Sequence, residues 1–475
     1  MHANINADTS TPRNSAANPD RTGRELFSMI GRLSASESAF YFAYSLYLML
    51  NLFDNTTFEY IFTIPYETFA TVCQVGILSL LFIKMLSFRT SLVRWAIALT
   101  LVAVGFLSWR FSAEGSTFWL FVFIVCGSGT DIKKLAVTSA LTIGIILPIV
   151  IAFAVVGEIE NVTVMRDSST IRYAMGFEHP NTLGMYLLLL CSSISVIRFG
   201  RNPILDFILL IAVALFNLAF SESRSMALLG IIQMLLLIVF YKTKRGSARR
   251  AMARLFVFGI VAILTASVVL MVVYEGDGIL AWLDSALSGR LYLANTFYEI
   301  GGITPLGNDY SSYVGIPWTG GKIVTFLVDN AYCHFLLRSG IIPFCIFLFG
   351  YALLLKQLLS QKRWDALLFG IVLMAFYGFA ESYALKAENF FLFSMASIVL
   401  FPTKEERTVR MAITSNLRIR YATINSFHSS SQYGGSRSAF SSVNLAMPES
   451  VSENRCSDHP IMASDNNRDS RKSCV

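Results

Sequence analysis

Long runs of apolar residues constrain this chain more than any other feature. A membrane-spanning helix needs about 20 residues, and the runs at 66–86, 135–156 and 255–274 reach that length. The runs are continuous, whereas a β-barrel shows alternating segments of about ten residues. Only 15% of the residues are charged, against roughly 25% in soluble domains. The sequence therefore predicts an all-α polytopic membrane protein.

Applied along the chain, the length criterion predicts about twelve spans. The fourth and the last are short, so either one could be a partial or re-entrant element. The predicted spans are 38–54, 66–86, 93–109, 116–128, 135–156, 179–198, 203–220, 225–241, 255–274, 331–355, 365–381 and 387–402.

Basic residues concentrate in every second connection, most densely at 242–254. By the positive-inside rule these connections are cytoplasmic, which places both termini inside and the long segment 275–330 outside. The formal net charge of +7 is then explained by orientation and by anionic membrane lipid. No nucleic-acid partner is predicted.

Composition predicts three parts. Residues 1–37 are polar and form an expected disordered cytoplasmic tail, 38–402 form the membrane domain, and 403–475 are rich in Ser, Asn and Arg and form a second disordered cytoplasmic tail. The seven cysteines show no metal-binding or disulfide spacing.

Two candidate functional places precede the long outer segment. The string 172–184 contains Arg172, His179 and Asn181 and runs into a span; His179 or Asn181 either caps the helix that starts at Pro180 or faces a cavity. The short connection 221–225 contains Arg224, which either snorkels, pairs with a neighbouring carboxylate, or meets an anion.

Three further candidates lie in or after the long segment. Arg290 follows a Ser-Gly pair and is either a solvated loop residue or a phosphate ligand. The pair Asp329-Asn330 opens a span and is compatible with a helix cap and with a general base. Glu381 begins the last outer connection, for which an ordinary loop is the simpler interpretation.

All five places lie on the predicted outer face, and the sequence lacks nucleotide-binding and metal-binding motifs. A donor used there must arrive already activated. We expect neither a cofactor nor a metal.

Together these residues resemble the bacterial Wzy-type polysaccharide polymerases of the O-antigen ligase-like superfamily. The resemblance covers roughly residues 160–400. It rests on four pieces: Arg172 with Gly176-Phe177-x-His179-Pro180-Asn181-x-x-Gly184, Ser223-Arg224, Ser288-Gly289-Arg290, and Asp329-Asn330-x-Tyr332 with Gly340.

The resemblance implies a GT-C-like fold in the bacterial cytoplasmic membrane and an inverting glycosyl transfer between undecaprenyl-diphosphate-linked oligosaccharides. A chain-length regulator and a flippase of the same pathway are the further partners it implies. Asp329, Arg290 and Arg224 would be catalytic. The implied substrate-binding residues are Arg172, His179, Asn181, Asn330, Tyr332 and Glu381.

Two other functions remain open at this point, together with a non-catalytic scaffold, for which Arg290→Ala would have no effect. The ligases of the superfamily tend to carry His where Asp329 stands, which favours a polymerase over a ligase with another acceptor. A transporter or lipid flippase would carry its charges near mid-span, in symmetric halves, whereas the charges here lie at the outer ends of spans.

Overall fold

Helices make up most of the chain wherever the computed structural model describes it. The described residues are 34–58, 66–88, 90–165, 171–310, 316–318, 322–324 and 328–401. Within them, eight helices are long and apolar enough to cross a membrane. The predicted class, a helical membrane-embedded protein, is therefore confirmed, whereas the number of twelve spans is not.

The first part of the chain contains five helices and one short hairpin. They are α1 (Ala35–Asp54), α2 (Tyr66–Leu86), α3 (Leu92–Ser112), α4 (Ser116–Cys126), α5 (Ile132–Val156), and the antiparallel strands β1 (Thr163–Met165) and β2 (Ile171–Tyr173).

The second part begins with four apolar helices and continues through the predicted outer segment to the end of the membrane domain. The elements are α6 (Pro180–Ile197), α7 (Ile204–Phe216), α8 (Arg224–Lys242), α9 (Gly246–Val273), α10 (Gly278–Ala286), α11 (Arg290–Gly301), the antiparallel strands β3 (Ile316–Trp318) and β4 (Lys322–Val324), α12 (Ala331–Ser339), α13 (Ile341–Ser360) and α14 (Ala366–Ala380).

The boundaries of the predicted tails are only partly described. Helix α1 begins at Ala35, because Ser34 and Glu37 form a capping box in which each side chain accepts from the other residue's backbone N–H. The predicted tail at 1–37 thus overlaps the start of a helix. Its residues 1–33, and all of 403–475, lie outside the described residues.

The predicted span 331–355 is divided in two at Gly340, where the backbone adopts φ 89°. The segment 302–310 satisfies the backbone groups that the break frees: Ile341 N–H donates to the Thr304 carbonyl over 2.9 Å, and Asn308 N–H donates to the Leu337 carbonyl over 3.2 Å. Irregular backbone at membrane depth requires such protein partners.

Two other predicted segments also differ from a simple loop or span. The described part of 275–330 contains the helices α10 and α11 and the strands β3 and β4. The predicted last span, 387–402, contains a short 3₁₀ turn (Phe390–Phe393) and a π turn (Ala396–Leu400) instead of a long helix.

Helix α14 organises the packing around the candidate site. Nearly all of its side chains are buried, as expected for a helix that is apolar on every side, and it packs against α8 and α9. Glu381 follows its last residue as the C-cap. The candidate residues meet at one end of the bundle, where they contact one another. The helices α6, α8 and α12 begin at this end, and α7, α9 and α14 finish there.

Candidate functional site

Arg290 lies at the centre of the candidate site. Its Nε donates to Asp329 Oδ2 over 2.8 Å, one terminal nitrogen donates to Ser225 Oγ over 3.1 Å, and the other lies 3.5 Å from Glu381 Oε1. The side chain is only 14% exposed. Arg290 thus joins the starts of α8 and α11, the residue before the α12 cap, and the end of α14.

The adjacent residues Asp329 and Asn330 have separate tasks. Asn330 caps α12, since its Oδ1 accepts from the backbone N–H groups of Tyr332 and Cys333 over 3.0 and 3.2 Å. Its amide nitrogen also donates to Ser267 Oγ over 2.9 Å. The Asp329 carboxylate is therefore left for Arg290. Of the two residues, only Asn330 provides the expected helix cap, through its side-chain oxygen.

A second arginine organises the neighbouring connection. From strand β2, Arg172 donates to the Ser221 carbonyl over 2.8 Å and to Asn181 Oδ1 over 2.6 Å. Ser223 Oγ donates to the same Asn181 oxygen over 3.0 Å. The strings 172–184 and 221–225, which are separate in the sequence, are thus joined by hydrogen bonds.

His179 caps α6, and Pro180 occupies the first turn as predicted. The Nδ1 atom of His179 accepts from the Asn181 backbone N–H over 3.2 Å. Burial lowers the pKa of His179, and the nearby Arg172 charge lowers it further, while Asp329 opposes this change. Because Nδ1 accepts this hydrogen bond, the neutral form of the ring carries its proton on Nε2.

Arg224 is the first residue of α8 and is exposed. Its neighbours Ser223 and Ser225 donate to Asn181 and accept from Arg290, respectively. Arg224 itself makes no side-chain hydrogen bond or ion pair within the described part of the chain. Its guanidinium is thus placed beside the cluster and remains available to an anion.

Glu381 is buried, with 8% of its side chain exposed. Burial raises its pKa well above the usual range, and the charge of Asp329 raises it further, whereas Arg290 lowers it. Arg290 in turn has its pKa raised by both carboxyls, despite a burial that acts in the opposite direction. The shorter contact identifies Asp329 as the principal counter-charge of Arg290.

Tyr332 does not join the cluster around Arg290. Its side chain is 2% exposed, and its hydroxyl donates to the Ala375 carbonyl of α14 over 2.9 Å. These contacts hold α12 against α14. The predicted substrate-binding roles of Tyr332 and Asn330 thus fall on side chains that the protein itself already engages.

Sequence reasoning missed a second charged group, centred on Glu114 between α3 and α4. Its carboxylate contacts Arg338 Nε at 2.7 Å, His334 Nε2 at 3.1 Å and Lys386 Nζ at 3.6 Å. Burial alone would raise the pKa of Glu114, but these three partners hold it well below its usual range. The i, i+4 spacing of His334 and Arg338 was the only signal in the sequence.

Within the described ranges, no three His, Cys, Asp or Glu side chains are grouped as a metal site. Whether the protein works without a metal therefore stays a prediction. No family model matches the chain, and neither the curated proteins nor the solved structures contain a significant match.

Proposed function

We propose that this protein is a membrane glycosyltransferase that polymerises undecaprenyl-diphosphate-linked oligosaccharide units into a surface polysaccharide. The observation that carries the proposal is the cluster around Arg290. It brings two carboxyl groups, those of Asp329 and Glu381, and three guanidinium groups, those of Arg172, Arg224 and Arg290, to one end of the helix bundle.

The proposed reaction needs an acceptor for a proton and a partner for a diphosphate. The acceptor hydroxyl oxygen attacks the anomeric carbon of the donor sugar, its proton goes to the Asp329 carboxylate, and the carbon–diphosphate bond breaks with its electron pair leaving on the diphosphate oxygen. Attack opposite the leaving group inverts the anomeric centre. Arg224 and Arg290 stabilise the departing charge, because guanidinium groups bind phosphate oxygens through parallel charge-assisted hydrogen bonds.

Asp329 is better placed as the base than His334. The Nε2 atom of His334 lies 3.1 Å from Glu114, and its Nδ1 atom lies 3.2 Å from the Val328 carbonyl. Both ring nitrogens are therefore engaged by the protein. Asp329 contacts Arg290, and an arriving diphosphate would compete for that arginine and release the carboxylate.

The distribution of basic residues supports a site on the outer face of a bacterial cytoplasmic membrane, with both termini inside. Substrate would then reach the site already activated on its lipid carrier. A flippase that delivers it and a chain-length regulator are the partners this arrangement calls for.

Reconstitution tests the proposal. Purified protein in liposomes receives the native lipid-linked repeat unit with a chelator and without nucleotide sugar, and the glycolipids are separated on a gel. We expect a ladder from the unaltered protein and from Arg110→Ala, and none from Arg290→Ala. Arg110 is a matched control because it is exposed at the same end of the bundle.

The other outcomes identify other functions. A single transfer to an added second acceptor, without a ladder, would indicate a ligase. Movement of the lipid-linked unit across the bilayer without any new glycosidic bond would indicate a transporter.

A further inference from the structure

A cleft of about 200 Å³ lies between the start of α9 and the end of α13. Helix α9 has 28 residues and so runs for about 42 Å, which places the cleft at the opposite end of the bundle from Arg290. We call it the basic cleft. Five basic side chains line it: Arg249, Arg250, Arg254, Lys362 and Arg363.

Few acidic side chains neutralise the positive charge of the basic cleft. Among the described residues, no acidic side chain lines it. Arg363 is paired with Asp365 over 2.6 Å, and Arg249 donates to the Thr243 carbonyl over 3.0 Å. The remaining three, which are Arg250, Arg254 and Lys362, form no ion pair with any described residue.

An aromatic stack lies next to the basic cleft in the chain. Trp364, next to Arg363, donates from its indole nitrogen to the Phe240 carbonyl over 3.2 Å. The rings of Trp364 and Phe240 stack with centroids 4.3 Å apart, and Phe256 of α9 stacks on Phe240 at 5.7 Å. These contacts connect α8, α9 and the turn that follows α13.

The apolar side of the basic cleft continues into a surface suited to lipid chains. Ala253, Leu358 and Leu359 line the cleft. Further along α9, Leu255 and Phe258 are 57% and 72% exposed, as expected of side chains that face hydrocarbon. A ligand that fits both parts carries an anionic head and an apolar tail.

We infer that the basic cleft binds the phosphate headgroup of an anionic phospholipid. The acyl chains of this lipid lie along the exposed apolar surface of α9 that contains Leu255 and Phe258. Charge-assisted hydrogen bonds from Arg250 and Arg254 hold the phosphate oxygens. Basic pockets between helix ends are suited to such headgroups. The inference does not depend on the proposed glycosyl transfer.

Native mass spectrometry of the delipidated full-length protein in detergent tests the site. Diphosphatidylglycerol, phosphatidylglycerol and phosphatidylethanolamine are titrated separately, and inorganic pyrophosphate is the soluble probe. We expect discrete adducts with the two anionic lipids and none with pyrophosphate. The double variant Arg250→Gln/Arg254→Gln should bind the anionic lipids roughly 30-fold more weakly, a change equivalent to about 2 kcal/mol for two basic residues near a membrane surface.

The matched control is Lys133→Gln/Lys134→Gln, which removes the same charge from the start of α5 and should bind as the unaltered protein does. Equal weakening in both double variants, or none in either, would overturn the inference. Pyrophosphate binding that matches lipid binding would show a soluble phosphate ligand instead. Thermal unfolding checks that the variants fold. If the Arg250→Gln/Arg254→Gln variant does not fold, the single variant Lys362→Gln, on an exposed turn, is used in its place.

Discussion

Arg290 and Asp329 stand 39 residues apart in the sequence and meet through a 2.8 Å hydrogen bond. Their side chains are 14% and 23% exposed. Largely buried charges are costly unless paired, so the pair holds the start of α11 against the start of α12. In the proposed reaction the substrate diphosphate would compete for the same guanidinium, so this contact is where substrate binding and proton transfer would meet.

Asp329→Asn should reduce turnover by about 10²–10⁴-fold, since the amide cannot accept the hydroxyl proton. The Asn oxygen still accepts from Arg290, so the protein should fold. The measurement is the rate of glycan extension in liposomes, with Asp277→Asn in the same segment as the control. Near-normal turnover of the Asp329 variant would remove this residue from the role of base.

Arg290→Lys should lower turnover by about 10²–10³-fold. A single ammonium group cannot reach Asp329, Ser225 and Glu381 together as the planar guanidinium does. Extension rates are compared with those of Arg110→Lys. If the Arg290→Lys variant keeps its rate, positive charge alone suffices and the fork geometry is unimportant.

Glu114→Gln should destabilise the protein at neutral pH, because it leaves Arg338 and Lys386 without their carboxylate. The midpoint of thermal unfolding should fall relative to the unaltered protein. Glu160→Gln, on an exposed residue, controls for the loss of one negative charge. An unchanged midpoint would show that Glu114 is dispensable for stability.

The same carboxylate predicts a pH dependence. The folded pKa of Glu114 is lowered from 4.5, so its contribution to stability is present above pH 4.5 and is lost as the pH falls from there through the folded pKa. The unaltered protein should therefore lose more stability than Glu114→Gln between neutral and acidic pH. Parallel pH curves for the two proteins would contradict this assignment.

Gly340→Ala should destabilise the junction of α12 and α13 by at least about 2 kcal/mol. Gly340 has φ 89°, a conformation that L side chains rarely adopt, and an added methyl group would overlap the backbone of Gly307. Reduced thermal stability is the readout. Gly259→Ala, at a position with open space in α9, should have little effect.

Asn330 offers a test that separates capping from its other bonds. Asn330→Ala should cost about 1 kcal/mol for the lost cap, and more because Ser267 loses its donor. Asn330→Asp keeps the capping oxygen but cannot donate to Ser267. Thermal unfolding should therefore rank the unaltered protein above the Asp variant and the Asp variant above the Ala variant. Equal midpoints would show that neither bond matters.

Several features were predictable because their signals are local. The apolar runs predicted the long helices, and the Pro180 pattern predicted the start of α6, with His179 as one of two candidate caps. The polar strings at 172–184, 221–225, 288–290 and 329–330 were recognisable as candidates because polar residues stand out beside apolar spans. Their location on one face of the membrane was predicted from the alternation of inner and outer connections.

Other features depended on contacts between distant segments. Nothing near Glu114 in the sequence points to Arg338, which lies 224 residues away. The break at Gly340 depends on the segment 302–310, which replaces the lost helical hydrogen bonds. The division of tasks between Asp329 and Asn330 likewise depends on Arg290 reaching one of them and Ser267 the other.

The residues alone were enough to define a helical membrane protein and to locate its polar groups, since burial in lipid requires continuous apolar helices whatever their arrangement. The tertiary structure decided which polar groups pair. Ion pairs and buried hydrogen bonds depend on distances of about 3 Å, and those distances arise only when helices from distant parts of the chain pack together.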